Sequence, residues 1–136
     1  MMLEEQLQKF WFFKYTGGYP VRKKTRSIID TINFTVELLT CRDNIVMLFP
    51  QGKIESLYNS SIAFEKGIGQ IVRKTSVNAQ VLFVVNMVDY FSGVKPSLYV
   101  YLREWAIENN ENEDIMTAYN RFYEHCISEQ IRIAEE

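Results

Sequence analysis

Apolar positions recur along this chain with two different periods, and the changes of period mark out an alternation of helices and strands. Over residues 3–13, Leu3, Leu7, Phe10 and Trp11 fall on one side of a helix, with Glu4, Glu5 and Gln8 on the other. Gly17-Gly18-Tyr19-Pro20 ends it, because glycine admits positive φ and proline cannot continue a helix. Ser27 is a natural N-cap for a second helix, in which Ile28, Ile29, Ile32, Val36 and Leu39 return at helical spacing. After the turn residues Asp43 and Asn44, positions 45–49 are apolar without alternation, which predicts a strand covered on both faces. Residues 81–85 have the same character. The stretch between them holds a helix over 63–75 and leaves room for a right-handed crossover. A further strand, rich in tyrosine and valine, is expected over 98–102. A polar break at 109–114 precedes a last helix whose apolar stripe is Ile115, Tyr119, Phe122, Tyr123, Cys126 and Ile131. The expected fold class is α/β, a single domain with a mostly parallel or mixed central sheet flanked by helices.

Composition narrows the function. With 136 residues, 47% of them hydrophobic and 24% charged, the chain has the size and content of one soluble domain with a real core. A net charge of -2 argues against a globally basic nucleic-acid binder, and no nucleic-acid partner is expected. No apolar run approaches the ~20 residues of a membrane span, and no secretory pattern opens the chain, so a cytoplasmic protein is expected. Cys41 and Cys126 stand far apart without CxxC spacing and read as buried thiols, Cys41 alternatively as one at a helix end. No metal site is expected. His125 is the one histidine, so a histidine general base would have to be His125.

The segment richest in chemistry is Phe49-Pro50-Gln51-Gly52-Lys53-Ile54-Glu55-Ser56, directly after the first expected strand. In α/β sheets ligands gather where strands end, because loops there present backbone amides and polar side chains. Pro50 fixes the exit direction, Gly52 lets the backbone approach a ligand, and Lys53 adds positive charge. A turn chosen for its geometry alone reads equally well from these residues. Likewise Arg22-Lys23-Lys24 with Arg26 suits a solvated basic surface, or attraction to anionic lipid headgroups.

Three blocks together resemble the glycerolipid acyltransferase family, which includes lysophosphatidate and glycerol-3-phosphate acyltransferases. Phe49-Pro50-Gln51-Gly52 is similar to its F-P-E-G motif. Lys14-Tyr15-Thr16-Gly17-Gly18-Tyr19-Pro20-Val21-Arg22-Lys23 resembles its G-x-x-F-I-x-R block, and Phe64-Glu65-Lys66-Gly67 its F-K-K-G segment. The blocks stand in family order within residues 1–104, which the resemblance makes an acyltransferase-like domain. Residues 105–136 become a C-terminal helical extension packing on it. The resemblance implies an acceptor pocket lined by Gly17, Arg22, Lys23, Phe49, Pro50, Gln51, Gly52 and Lys53. Lys23 falls on the basic position that holds the acceptor phosphate, as a point charge rather than arginine's bidentate fork. The implied reaction moves a fatty acyl group from a coenzyme A or acyl-carrier-protein thioester to a lysophospholipid or glycerol-phosphate-like acceptor. The thioester is a co-substrate, and no tightly bound cofactor is expected.

The sequence departs from the family pattern at several positions. Gln51 keeps a hydrogen-bonding carbonyl where the family has glutamate, Ile54 stands where arginine is common, and 81–86 lacks the usual prolines. The family's H-x4-D block, whose histidine takes the proton from the acceptor hydroxyl, precedes the G-x-x-F-I-x-R block. No histidine precedes Gly17, and the fifth residue after His125 is Gln130. His125 therefore reads as a partly exposed helical side chain, and no catalytic residue is assigned. The chain is expected to correspond to a C-terminal portion of the acyltransferase fold and to be inactive alone. Its partners would be the lipid acceptor and the acyl thioester, with peripheral contact on a cytoplasmic membrane face. An exposed sheet edge would favour a homo-oligomer. The alternatives are a non-catalytic lipid- or phosphate-binding module of the same fold, and a generic α/β interaction domain whose motif matches are turn geometry.

Overall fold

The computed structural model describes residues 2–3, 8, 10–21, 27–53, 55–57, 59–75, 79–106 and 114–135. The chain is mixed α/β and divides into two compact units, Met1–Ile54 with Ala63–Ala79, and Glu55–Ile62 with Gln80–Glu136.

The first unit contains β1 (Met2–Leu3), a 3-10 turn (Trp11–Lys14), β2 (Pro20–Val21), α1 (Ser27–Thr40) and α2 (Gly67–Thr75). The pair β1 and β2 is a parallel bridge of two residues each, Met2 opposite Pro20 and Leu3 opposite Val21. The helix expected over 3–13 is therefore not formed at its ends. Leu3 pairs as a strand, and at the other end the N–H of Phe13 bonds the Phe10 carbonyl three residues back, at 3.1 Å. Bulky aromatics at four consecutive positions point around every side of a helix and give it no single face to bury.

Helix α1 begins at Ser27 and buries Ile32 and Thr35, with Ile28, Val36 and Leu39 half-buried beside them. Ile29 lies outside that stripe and is exposed. Helix α2 turns Ile68, Ile71, Val72 and Thr75 inward. It starts later than 63 because the Glu65 N–H bonds outside the helix, to the Pro50 carbonyl. The first helical turn then runs from the Ile68 N–H to the Glu65 carbonyl. Lys74 Nζ donates to Asn33 Oδ1 at 2.8 Å, tying the two helices on their outer side.

The second unit is built on an antiparallel hairpin, β3 (Val81–Asp89) and β4 (Ser97–Trp105), in continuous register from Val81 opposite Trp105 to Asp89 opposite Ser97. Helix α3 (Ile115–Glu135) covers one face. Phe83 stacks on Trp105 and Phe122, and meets the Tyr119 ring edge-on with centroids 5.3 Å apart. The buried stripe of α3 is Ile115, Ala118, Phe122, Tyr123, Cys126 and Gln130. Ile131, expected in it, is exposed, since a step of five residues from Cys126 rotates away from the face that Gln130 continues. Leu57 and Ile62 are tied to the same helix. Asn120 takes the Ile62 N–H on Oδ1 at 2.7 Å and gives Nδ2–H to the Ile62 carbonyl at 3.0 Å, while Tyr123 Oη donates to the Leu57 carbonyl.

The central sheet expected from sequence is not present among the described residues. Positions 45–49 form no strand there; Ile45 is 95% and Phe49 72% exposed. The strands over 81–85 and 98–102 exist and are longer, but they pair antiparallel. Seven residues, 90–96, join them, and a parallel crossover needs about a dozen or more. One face of β3 holds the buried Phe83 and Val85, and the other is open, with Leu82, Val84 and Val88 exposed.

Candidate functional site

The loop after 45–49 is a tight turn. The Gly52 N–H bonds the Phe49 carbonyl at 3.3 Å, with Pro50 at the position where a fixed φ favours turning. Gly52 has φ +63, and a Cβ there would lie 2.8 Å from Glu65 Oε1 and 2.9 Å from Glu65 Cγ. Only glycine allows both the left-handed backbone and this approach. The Glu65 N–H donates to the Pro50 carbonyl at 2.8 Å. Phe49-Pro50-Gln51-Gly52 and Phe64-Glu65-Lys66-Gly67 thus form one hydrogen-bonded corner at the start of α2. Pro50, Gln51 and Gly52 are half-buried, whereas Lys53 and Lys66 are exposed.

The corner leans on α1. A Cβ at Gly67 would touch the Ile32 side chain at 3.6 Å. The third block reaches the same helix through Tyr19, whose ring packs edge-on against Phe34 and whose hydroxyl lies 2.7 Å from Thr35 Oγ1. Thr35 is 0% exposed and gives its own hydrogen to the Thr31 carbonyl at 2.8 Å, so Tyr19 is the donor to Thr35. Burial pushes the Tyr19 phenol above its ordinary value, and the Thr35 hydrogen bond partly opposes the shift. Gly17 stands before it in the exposed turn, at φ +82.

Of the residues expected to line a pocket, Phe49, Pro50, Gln51, Gly52 and Lys53 share the corner, and Gly17 belongs to the turn that leads to Tyr19. Arg22, Lys23 and Ile54 lie outside the described residues. Two participants were not singled out from sequence, Glu65 as the partner of the turn and Thr35 as the anchor of Tyr19. Thr35 left a signal, a polar residue within the buried stripe of an otherwise apolar helix face.

The remaining candidates belong elsewhere. His125 is exposed on α3 in the second unit. Cys41 is exposed directly after the last residue of α1, which corrects the expectation of burial and fits the helix-end position. Cys126 is buried as expected, and burial pushes its thiol up to about 11. Among the described residues no group of three or more metal-ligating side chains converges.

The fold and corner define a small mixed α/β protein with paired glycine-bearing loops. No protein-family model, curated protein or solved structure matches the chain.

Proposed function

We propose that this chain is the acceptor-binding portion of a glycerolipid-acyltransferase-like protein. The Phe49-to-Lys53 loop receives a lysophospholipid or glycerol-phosphate-like acceptor, with Gly17, Arg22 and Lys23 contributing from the preceding block. The acyl group comes from a coenzyme A or acyl-carrier-protein thioester. The supporting observation is the 2.8 Å bond from the Glu65 N–H to the Pro50 carbonyl. It makes one corner of two blocks that resemble neighbouring motifs of that family, with Lys53 and Lys66 exposed beside it. A phosphomonoester suits such a place, since it is held by cations and by backbone N–H donors.

Transfer also requires a base to take the acceptor hydroxyl proton as the oxygen attacks the thioester carbonyl. Neither block contains a histidine, and His125 lacks the H-x4-D spacing, the fifth residue after it being Gln130. The chain alone therefore binds acceptor and does not turn over. The same observation favours a second reading, a lipid- or phosphate-binding module of this fold that never meets a thioester.

Titration calorimetry with glycerol 3-phosphate and with glycerol tests the phosphate site that both readings share. Binding of the phosphate and not the alcohol, weakened about tenfold by K53A/K66A, is expected for two lost charge-assisted contacts. No phosphate preference overturns the proposal. Binding of a non-hydrolysable acyl-coenzyme A thioether supports the acyltransferase reading, and its absence supports the binding module. Robust transfer that survives H125A would remove the missing-base inference.

A further inference from the structure

Five of the six residues from position 10 to 15 are aromatic: Phe10, Trp11, Phe12, Phe13 and Tyr15. All five are exposed, Trp11 at 64% and Tyr15 at 82%. They pack on one another rather than into a core. Phe12 and Phe13 have centroids 4.5 Å apart, Phe10 stands edge-on to both, and Trp11 meets Tyr15 edge-on at 5.9 Å.

The backbone beneath them is closed tightly. The Phe13 carbonyl accepts the N–H groups of Thr16 and Gly18 and the Thr16 hydroxyl. A Cβ at Gly18 would sit 2.6 Å from that carbonyl oxygen, so the closure depends on glycine. The rings are thus presented outward on a firm frame, at the expense of keeping a large apolar surface in water.

Charge identifies what covers them. Residues 9–26 carry Lys9, Lys14, Arg22, Lys23, Lys24 and Arg26 and no Asp or Glu, in a chain whose net charge is -2. Two such stretches meeting face to face would set like charge against like, which disfavours a second copy of the same segment. Tryptophan and tyrosine settle at the boundary between headgroups and acyl chains, and lysine and arginine are drawn to anionic headgroups. Among the described residues no helix is long and apolar enough to cross a membrane, so the contact is interfacial.

We propose that the aromatic turn over residues 10–15 docks the protein on an anionic phospholipid surface, its rings entering the headgroup region while the cations of 9–26 meet lipid phosphates. The inference does not use the Phe49-to-Lys53 loop, and it shares only Arg22 and Lys23 with the acceptor reading.

The experiment sediments the full chain with vesicles of phosphatidylcholine, alone or mixed with phosphatidylglycerol. Binding is expected to the mixed vesicles, with release at raised salt. The sequence has two tryptophans, Trp11 and Trp105, and Trp105 is half-buried. Brominated lipid should therefore quench the protein's fluorescence, and the quenching should vanish in W11F. W11A/F12A should keep its circular dichroism and lower vesicle partition about tenfold or more, because it removes the inserted apolar area. No binding to anionic vesicles overturns the proposal, as does unchanged partition of W11A/F12A or an unquenched Trp11. A lipid-free dimer that W11A/F12A converts to monomer would show instead that the turn is a protein contact. Glycerol 3-phosphate binding is measured without vesicles, so failure of one reading leaves the other standing.

Discussion

Gly52 lies so close to Glu65 that a single added methyl group would come within 2.8 Å of its carboxylate oxygen. A residue in a turn and a residue entering a helix, thirteen positions apart, therefore constrain one another. Gly52→Ala must carry its side chain at φ +63 and displace the Glu65 carboxylate as well. The expected loss is about 2 kcal/mol, roughly half of it from the left-handed backbone. Because the clash is with a side chain, E65A/G52A should recover part of that loss relative to the sum of the single variants. Urea unfolding of the four proteins measures the coupling.

Tyr19 and Thr35 provide a second coupled pair. Thr35→Val preserves shape but leaves the Tyr19 hydroxyl without its acceptor, at a cost of about 1–2 kcal/mol. In Y19F/T35V both partners are apolar, and most of that cost should disappear. Equal losses in T35V and Y19F/T35V would show that the hydrogen bond does not matter to the fold.

Alkaline pH should weaken the protein in a defined window. The Cys126 thiol is pushed from 9.0 to about 11 in the folded state, chiefly by burial. Below pH 9 both states hold the proton and stability does not vary through this group. As pH rises from 9 toward 11 the unfolded chain loses the proton first, so stability falls, by roughly 2 kcal/mol at the upper end. The raised phenols of Tyr19, Tyr119 and Tyr123, each shifted mainly by burial, extend the loss above pH 10. Unfolding curves of C126A should be flatter between pH 9 and 10 than those of the parent.

Asn120 takes the place of a neighbouring strand for Ile62, accepting its N–H and donating to its carbonyl. Asn120→Ala leaves both groups unmatched and is expected to cost about 2–3 kcal/mol. Asn120→Asp keeps the acceptor and loses the donor, and should fall between the two proteins. Hydrogen exchange at the Ile62 amide supplies a local check: faster in N120A, protected in N120D.

Much of the helical structure could be read directly. Ser27 opens α1 where a polar residue precedes the apolar period, and the polar break before Ile115 opens α3. Helical periodicity arises between residues three and four apart, so a short window contains it. The loop residues Pro50 and Gly52 were legible as a turn for the same reason. Their partner Glu65 was not, because a hydrogen bond from the Glu65 N–H leaves no mark on the sequence.

The strands divide differently. Runs of β-forming residues at 81–85 and 98–102 did become strands, but only their extension to Val81–Asp89 and Ser97–Trp105 shortens the link to seven residues, too few for a parallel crossover. The run at 45–49 has similar composition but leaves Ile45, Met47 and Phe49 exposed, without a strand partner among the described residues. A strand is completed by hydrogen bonds to another segment, and no local pattern records whether one is present. The sequence alone determined where α1 and α3 run, where the chain turns at Pro50 and Gly52, and which residue types each block holds. The tertiary structure alone decided the direction of pairing, the openness of one hairpin face and the joining of Pro50 to Glu65, since each depends on contacts between segments distant in sequence.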